Sequence, residues 1–291
     1  MPLETGAAEE VRMPLPDTFH FSQQSLQDYA DCRRRFQLRY LLMQPWPALV
    51  TGAPVEFEAL LQRGADFHRL AHQYALGLDP QRLEAGIRDD ELLAWWHTFL
   101  AHPPQDLPGP ARRAEVVLSA GLPATQGTSR RLVARVDLLA AEPGARIVVV
   151  DWKTMHRRPR RAELARRLQT RVYRYLAVEA TAAIFGGRQP APEQVEMIYW
   201  FAAHGGQVER FPYNAGEYAA DRADLAALAA EILAQQAPIW PLTEDIGHCR
   251  FCHYRSLCER EVEPGFPDEL PDDVEPEEIE IDLEQIGEVV F

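Results

Sequence analysis

Residues 147–158 read IVVVDWKTMHRR, and the fold turns on how they are read. The apolar run at 147–150 is continuous rather than alternating, which marks a central strand buried on both faces. It ends in Asp151, Trp152 and Lys153. Lys153 is the one lysine of the chain: of 30 Lys+Arg, 29 are arginine. Strand side chains alternate, so Asp151 and Lys153 share a face and Trp152 takes the other. A carboxylate beside an ammonium at a strand end suits hydrolysis with a divalent cation. The carboxylate holds the cation, and the amine orients or deprotonates a water. Lysine is a compact charge whose pKa falls on desolvation or beside a cation, whereas arginine stays protonated. Charge alone would be served by arginine in this chain; an ordinary strand-end ion pair is the competing explanation.

Outward from this strand, two β-rich runs precede it, at 114–122 and 130–141. The second alternates as a half-buried strand should. Paired hairpin-fashion with 146–152, it brings Asp137 to Asp151. Oxygen ligands with retained water suit Mg²⁺ or Mn²⁺. Glu115, early in the first run, is a further candidate for the same site or a plain structural carboxylate. A long helix is expected at about 160–185, then a strand pair about Gly205-Gly206, then an alanine-rich helix at 215–236. Upstream, 22–43 reads as one helix with Ser22 as N-cap, followed by helices over 55–77 and 80–101. The class is α/β, a sheet flanked by helices. The expected organisation is a disordered lead-in (1–20), one domain (21–262) and an acidic tail (263–291).

The net charge of −14 argues against a nucleic-acid partner until its distribution is considered. Residues 259–291 hold 14 Asp/Glu and one Arg, a net of −13, which leaves about −1 for the rest. The body is near neutral, with arginine clusters at 33–39 and 157–174. That pattern fits a polyanionic partner, although any single run also reads as a solvated face. Arg157, Arg158, Arg160, Arg161, Arg166, Arg167, Arg171 and Arg174 are candidate phosphate contacts. Tyr173 and Tyr175 are candidate stacking platforms, and Arg33–Arg35 form a second basic candidate. For the tail, shielding of the basic region, partner binding and solubility are all open, with solubility favoured. No apolar run approaches the ~20 residues of a membrane span. The N-terminal residues lack an apolar export segment, so a cytoplasmic protein is expected.

Asp137, then D-W-K at 151–153, then QTRVY at 169–173 resembles the RecB/AddB-type nucleases of the PD-(D/E)XK superfamily. The stretch GADFHRL resembles that family's histidine helix and offers His68. The resemblance covers residues 20–260 and implies a restriction-endonuclease-like mixed sheet. It also implies His68, Asp137 and Asp151 as metal ligands, Lys153 as the catalytic lysine, and Gln169 and Tyr173 beside them. Gln169 and Tyr173, four residues apart, share a helix face. Two departures stand out: Arg135 lies where the second motif often has glycine, and Arg33 follows Cys32 where the family usually has proline. His72, four residues past His68, suggests a zinc pair, but Arg69 stands where a metalloprotease has its glutamate.

The chain has four cysteines: Cys32, Cys249, Cys252 and Cys258. With no export signal, metal ligation is favoured over disulfides. The compact C-terminal trio alone allows a zinc knuckle completed by His248 or His253, with Cys32 a small buried hydrophobe. The one-plus-three layout is similar to RecB/AddB-like nucleases and their CRISPR-associated relatives. There, four thiolates hold a [4Fe–4S] cluster; zinc stays as the alternative ion. Such a cluster would staple the N-terminal helices to the C-terminal segment, worth on the order of 5 kcal/mol by loop closure.

The expected function is a Mg²⁺- or Mn²⁺-dependent DNA nuclease, an exonuclease on single strands or ends, in repair, recombination or defence. The alternative is a catalytically silent DNA-end-binding module of a helicase–nuclease complex. A weaker reading is a zinc-stabilised domain with no nucleic-acid role. With one lysine, placed at 153, no G-x-x-x-x-G-K-[ST] loop exists here, so any helicase partner is a separate chain.

Overall fold

The computed structural model describes residues 14–44, 55–109, 111–122, 130–142, 144–263 and 265. The chain divides into two compact units. The expected tail beyond 265 and residues 1–13 of the expected lead-in lie outside the described residues.

The first unit comprises the described residues within 14–44, 121–132 and 222–265. Ordered packing begins before the expected boundary at 21: Leu15 and Phe19 are buried, and Phe19 sits edge-on to Phe21 and Phe36. After strand β1 (Phe21–Ser22), Ser22 caps helix α1 (Gln23–Asp31), accepting from the Ser25 amide at 3.0 Å. The single helix expected over 22–43 is broken. Cys32 is extended (φ −159°, ψ 111°), α2 (Arg33–Phe36) follows, and a π-helical turn covers Gln37–Leu41. The buried Asp28 carboxylate explains the bend. It binds Arg35 at 2.8 Å, Arg39 at 3.1 Å and the Tyr40 hydroxyl at 3.0 Å, gathering both sides of the break.

The second unit comprises the described residues within 52–120 and 133–221. Its described helices begin with α3 (Val55–Ala75), α4 (Pro80–Glu84) and α5 (Asp90–Ala101). The helix expected over 80–101 is two, because Asp79 and Asp89 each cap a new start, accepting from Gln81 N and Leu92 N. Strands β2 (Ala111–Leu122), β3 (Arg130–Glu142) and β4 (Arg146–Lys153) follow. Next come α6 (Arg161–Arg166), α7 (Leu168–Phe185), β5 (Val195–Phe201) and β6 (Gln207–Pro212), and then α8 (Ala215–Leu233), whose residues from 222 on belong to the first unit. The helix expected over 160–185 is interrupted at Arg167, whose ψ of 138° starts α7 afresh. Gln169 therefore lies in a first helical turn.

The sheet is mixed and six-stranded among the described residues. β3 pairs antiparallel with β4, β4 parallel with β5, and β5 antiparallel with β6. As its continuous apolar run requires, β4 is central and buried from Ile147 to Lys153. On one face, Val148, Val150 and Trp152 join Ile198 and Trp200 against Phe67 of α3 and Trp95, Trp96 and Phe99 of α5. The Phe67 and Trp200 rings stack at 5.8 Å. Asp151 and Lys153 take the opposite face, where α7 packs. Burying each large side chain of this cluster stabilises by roughly 1.5–3 kcal/mol, so β4 is held rigidly where its polar end begins.

Candidate active site

The β3–β4 ladder ends where Leu138 pairs with Val150, so Asp137 and Asp151 are the next residues of their strands. Asp137 Oδ2 accepts from the Trp152 amide at 2.6 Å, and Oδ1 lies 3.0 Å from His68 Nδ1. Burial by itself pushes the Asp137 carboxyl up. The adjacent His68, its hydrogen bond and the Trp152 N–H outweigh that and hold it below the usual carboxylate range. Helix α3 thus delivers His68 to the sheet, as the histidine helix implies.

Glu115 completes this cluster: ligand atoms of His68, Glu115 and Asp137 all lie within 4.8 Å of one another. Glu115 has φ +49° inside β2, a left-handed backbone that a non-glycine strand residue rarely adopts. Such a local kink re-aims a side chain and costs about 1–3 kcal/mol. At the position where the motif often has glycine, the Arg135 side chain brings its Nε to 3.2 Å from Glu115, while the main-chain carbonyl, which any residue would supply, accepts from the Tyr173 hydroxyl at 3.0 Å.

Beside the cluster, Lys153 Nζ lies 2.9 Å from Asp151 Oδ2 and donates to Gln169 Oε1 at 2.9 Å. Gln169 Nε2 donates to Asp151 Oδ1 at 2.9 Å. Lys153, Asp151 and Gln169 are all buried. Two side chains here were not expected from the sequence. The Tyr199 hydroxyl lies 3.1 Å from Gln169 Oε1, and Thr170 Oγ1 lies 2.7 Å from Tyr199. A tyrosine inside an apolar strand is a weak sign of such a contact, since a buried Tyr hydroxyl usually finds a partner.

The expected basic surface needs correction. Arg174 is buried, donates to the Thr170 and Pro212 carbonyls, and stands over the Tyr213 ring at 4.4 Å. Arg167 is buried too, and Arg171 holds Asp221 at 2.5 Å. Tyr173 and Tyr175 are buried and present no face for a base to stack on. The reason is α7 itself, which packs on the sheet and turns these residues inward. Arg157, Arg160, Arg161 and Arg166 are exposed, while Arg158 is half-buried. Arg158 and Arg161 share Glu209 of β6, at 2.6 Å and 2.9 Å.

In the first unit, Cys32, Cys249, Cys252 and Cys258 line one pocket with Arg35, His248 and Arg260. Burial pushes the Cys252 thiol up to about 12, and the neighbouring cysteines add to it against the opposing Arg35. Cys258 is raised by burial and by Cys32. In Arg33–Arg35, Arg33 pairs with Glu231 at 2.5 Å, and Arg35 is committed to Asp28 and Asp31.

Residues 20–259 match the profile of the PD-(D/E)XK nuclease superfamily. A solved structure described as a candidate exonuclease from Eubacterium rectale is 9% identical, with a TM-score of 0.49, over 85% of this chain and 90% of that one. The structure of SSO0001 is 14% identical, with a TM-score of 0.32, over 52% of this chain. The match spans 62% of SSO0001, less than two thirds of its length. No curated protein matches the sequence. Among the described residues, no helix is long and apolar enough to cross a membrane.

Proposed function

Matched over residues 20–259, the chain belongs to the PD-(D/E)XK nuclease superfamily, and on that premise we propose that it is a metal-dependent deoxyribonuclease. We infer an exonuclease acting on single-stranded DNA or DNA ends, in repair, recombination or defence. The observation that carries this reading is the pairing of two groups of side chains. Lys153, Asp151 and Gln169 form one hydrogen-bonded set, and His68, Glu115 and Asp137 converge next to it.

The donor set of one imidazole and three carboxylates suits a hard divalent cation, Mg²⁺ or Mn²⁺. His68, Glu115, Asp137 and Asp151 would hold it, and when bound it would stabilise charge developing on a phosphate. The chain's own residues do the rest. Asp151 and Gln169 hold Lys153 at the site, where its ammonium orients the attacking water or, as the neutral amine, the side chain takes up that water's proton. Tyr173 ties the Gln169 helix to β3 through the Arg135 carbonyl. The exposed Arg157, Arg160, Arg161 and Arg166 are the proposed phosphate contacts.

Cys32, Cys249, Cys252 and Cys258 are proposed as ligands of a [4Fe–4S] cluster, with zinc as the alternative. The support is that all four line one pocket of the first unit. Its proposed role is structural, joining the α1–α2 junction to residues 249–258. The proposed compartment is the cytoplasm, where thiols stay reduced and available as ligands. A helicase in a separate chain is the proposed partner.

The test is cleavage of end-labelled single- and double-stranded DNA with Mg²⁺ or Mn²⁺, using anaerobically purified protein beside Lys153→Ala. Metal-dependent cutting that falls about 10²–10⁴-fold in the variant is expected. Iron and acid-labile sulfide assays on the same sample separate cluster from zinc. Wild-type protein that binds DNA ends and cuts nothing would instead make the chain a binding module.

A further inference from the structure

β5 is nearly all apolar, yet at its centre is Tyr199, fully buried and paired across the parallel register with Asp151. The two residues therefore stand side by side on the face that carries Lys153. The Tyr199 hydroxyl reaches Gln169 Oε1, and Lys153 Nζ lies 5.3 Å from the centre of its ring.

The orientation of the Gln169 amide follows from its charged neighbours. Oε1 faces the Lys153 ammonium, while Nε2 faces the Asp151 carboxylate and, at 3.4 Å, the Tyr173 hydroxyl. Flipped, the amide would set NH₂ against the ammonium and carbonyl against the carboxylate. It would break both bonds that join Lys153 to Asp151 through Gln169.

The hydroxyl protons behind it can be assigned. Thr170 Oγ1 lies 2.7 Å from the Tyr199 hydroxyl and 2.5 Å from the Leu164 carbonyl. Two hydroxyl protons face three contacts, and both ends of the row are carbonyl acceptors. The Thr170 hydroxyl donates to the Leu164 carbonyl, its shortest contact, and the Tyr199 hydroxyl donates to Gln169 Oε1. Oε1 then accepts from two converging donors, one on β4 and one on β5, and only an oxygen fits there.

We propose that Tyr199 is a positioning residue that locks the Gln169 amide in the orientation that holds Lys153 and Asp151 together. The catalytic part of this proposal rests on the nuclease reading; the locking of the amide stands on the buried contacts alone. Tyr199→Phe tests both, because it removes the hydroxyl and keeps the ring under Lys153. Expected are a kcat lower by about ten-fold with KM for DNA unchanged, and Gln169 side-chain amide signals in ¹⁵N NMR that shift and exchange faster with water. In a Gln169→Ala background the same substitution should cost nothing further. Unchanged Gln169 signals, an unchanged kcat, or a full loss that persists without Gln169 would each overturn the assignment. If the wild type cuts no DNA, the amide signals still decide the positioning, and the nuclease reading alone fails.

Discussion

Glu115 shows how a single backbone angle recruits a residue. Its φ of +49° falls within β2, and its carboxylate lies with His68 and Asp137. If that kink exists to complete a cation site, Glu115→Gln should weaken Mn²⁺ binding about ten-fold or more by titration calorimetry. An affinity equal to wild type would leave Glu115 as no more than the partner of Arg135. The lone lysine has its answer at this scale as well. It is buried and touches a carboxylate and an amide, and in the proposed mechanism it can give up a proton there, which a guanidinium could not.

At the scale of the element, α3 is seated against the sheet by a close approach. A Cβ on Gly64 would come within 3.2 Å of Thr154 Oγ1, just past the end of β4. Gly64 and His68 are four residues apart and share a face of α3, so this approach governs how far His68 reaches. Gly64→Val is predicted to cost on the order of 1–3 kcal/mol in chemical denaturation and to lower cleavage. Adding Thr154→Ala removes the oxygen in the way and should restore part of both losses. The breaks at Cys32 and Arg167 belong to the same scale. Both interrupt runs with good helical periodicity, and the signal for stopping lies in tertiary partners rather than in local propensity.

For the whole molecule, the two units carry separate chemistry: thiols in the first, carboxylates and the lysine in the second. Cys32→Ser is predicted to lose bound iron and sulfide and to let the first unit unfold at a lower temperature, read by metal analysis and calorimetry. Retention of the full iron content would remove Cys32 from the ligand set. DNA binding should depend on salt through the exposed arginines. Removing Arg157 and Arg160 together is predicted to reduce the slope of log affinity against log salt by about 0.7 for each single-strand phosphate they no longer neutralise. A slope that does not move would mean that other cations neutralise the DNA.

The sequence by itself determined the class of the fold and the polar end of its central strand. A continuous apolar run ending in Asp-Trp-Lys is a local pattern, and alternation along a strand is geometry that needs no tertiary information. Two-residue spacing was enough to put Asp151 and Lys153 on one face, and four-residue spacing enough to pair Gln169 with Tyr173. The tertiary structure alone decided the rest. The φ of Glu115, the inward turn of Arg167, Arg174, Tyr173 and Tyr175, and the meeting of Tyr199 with Gln169 all depend on which faces the sheet covers. An arginine-rich helix reads as basic surface until packing decides which of its sides meets water, because burial is a property of neighbours distant in the chain.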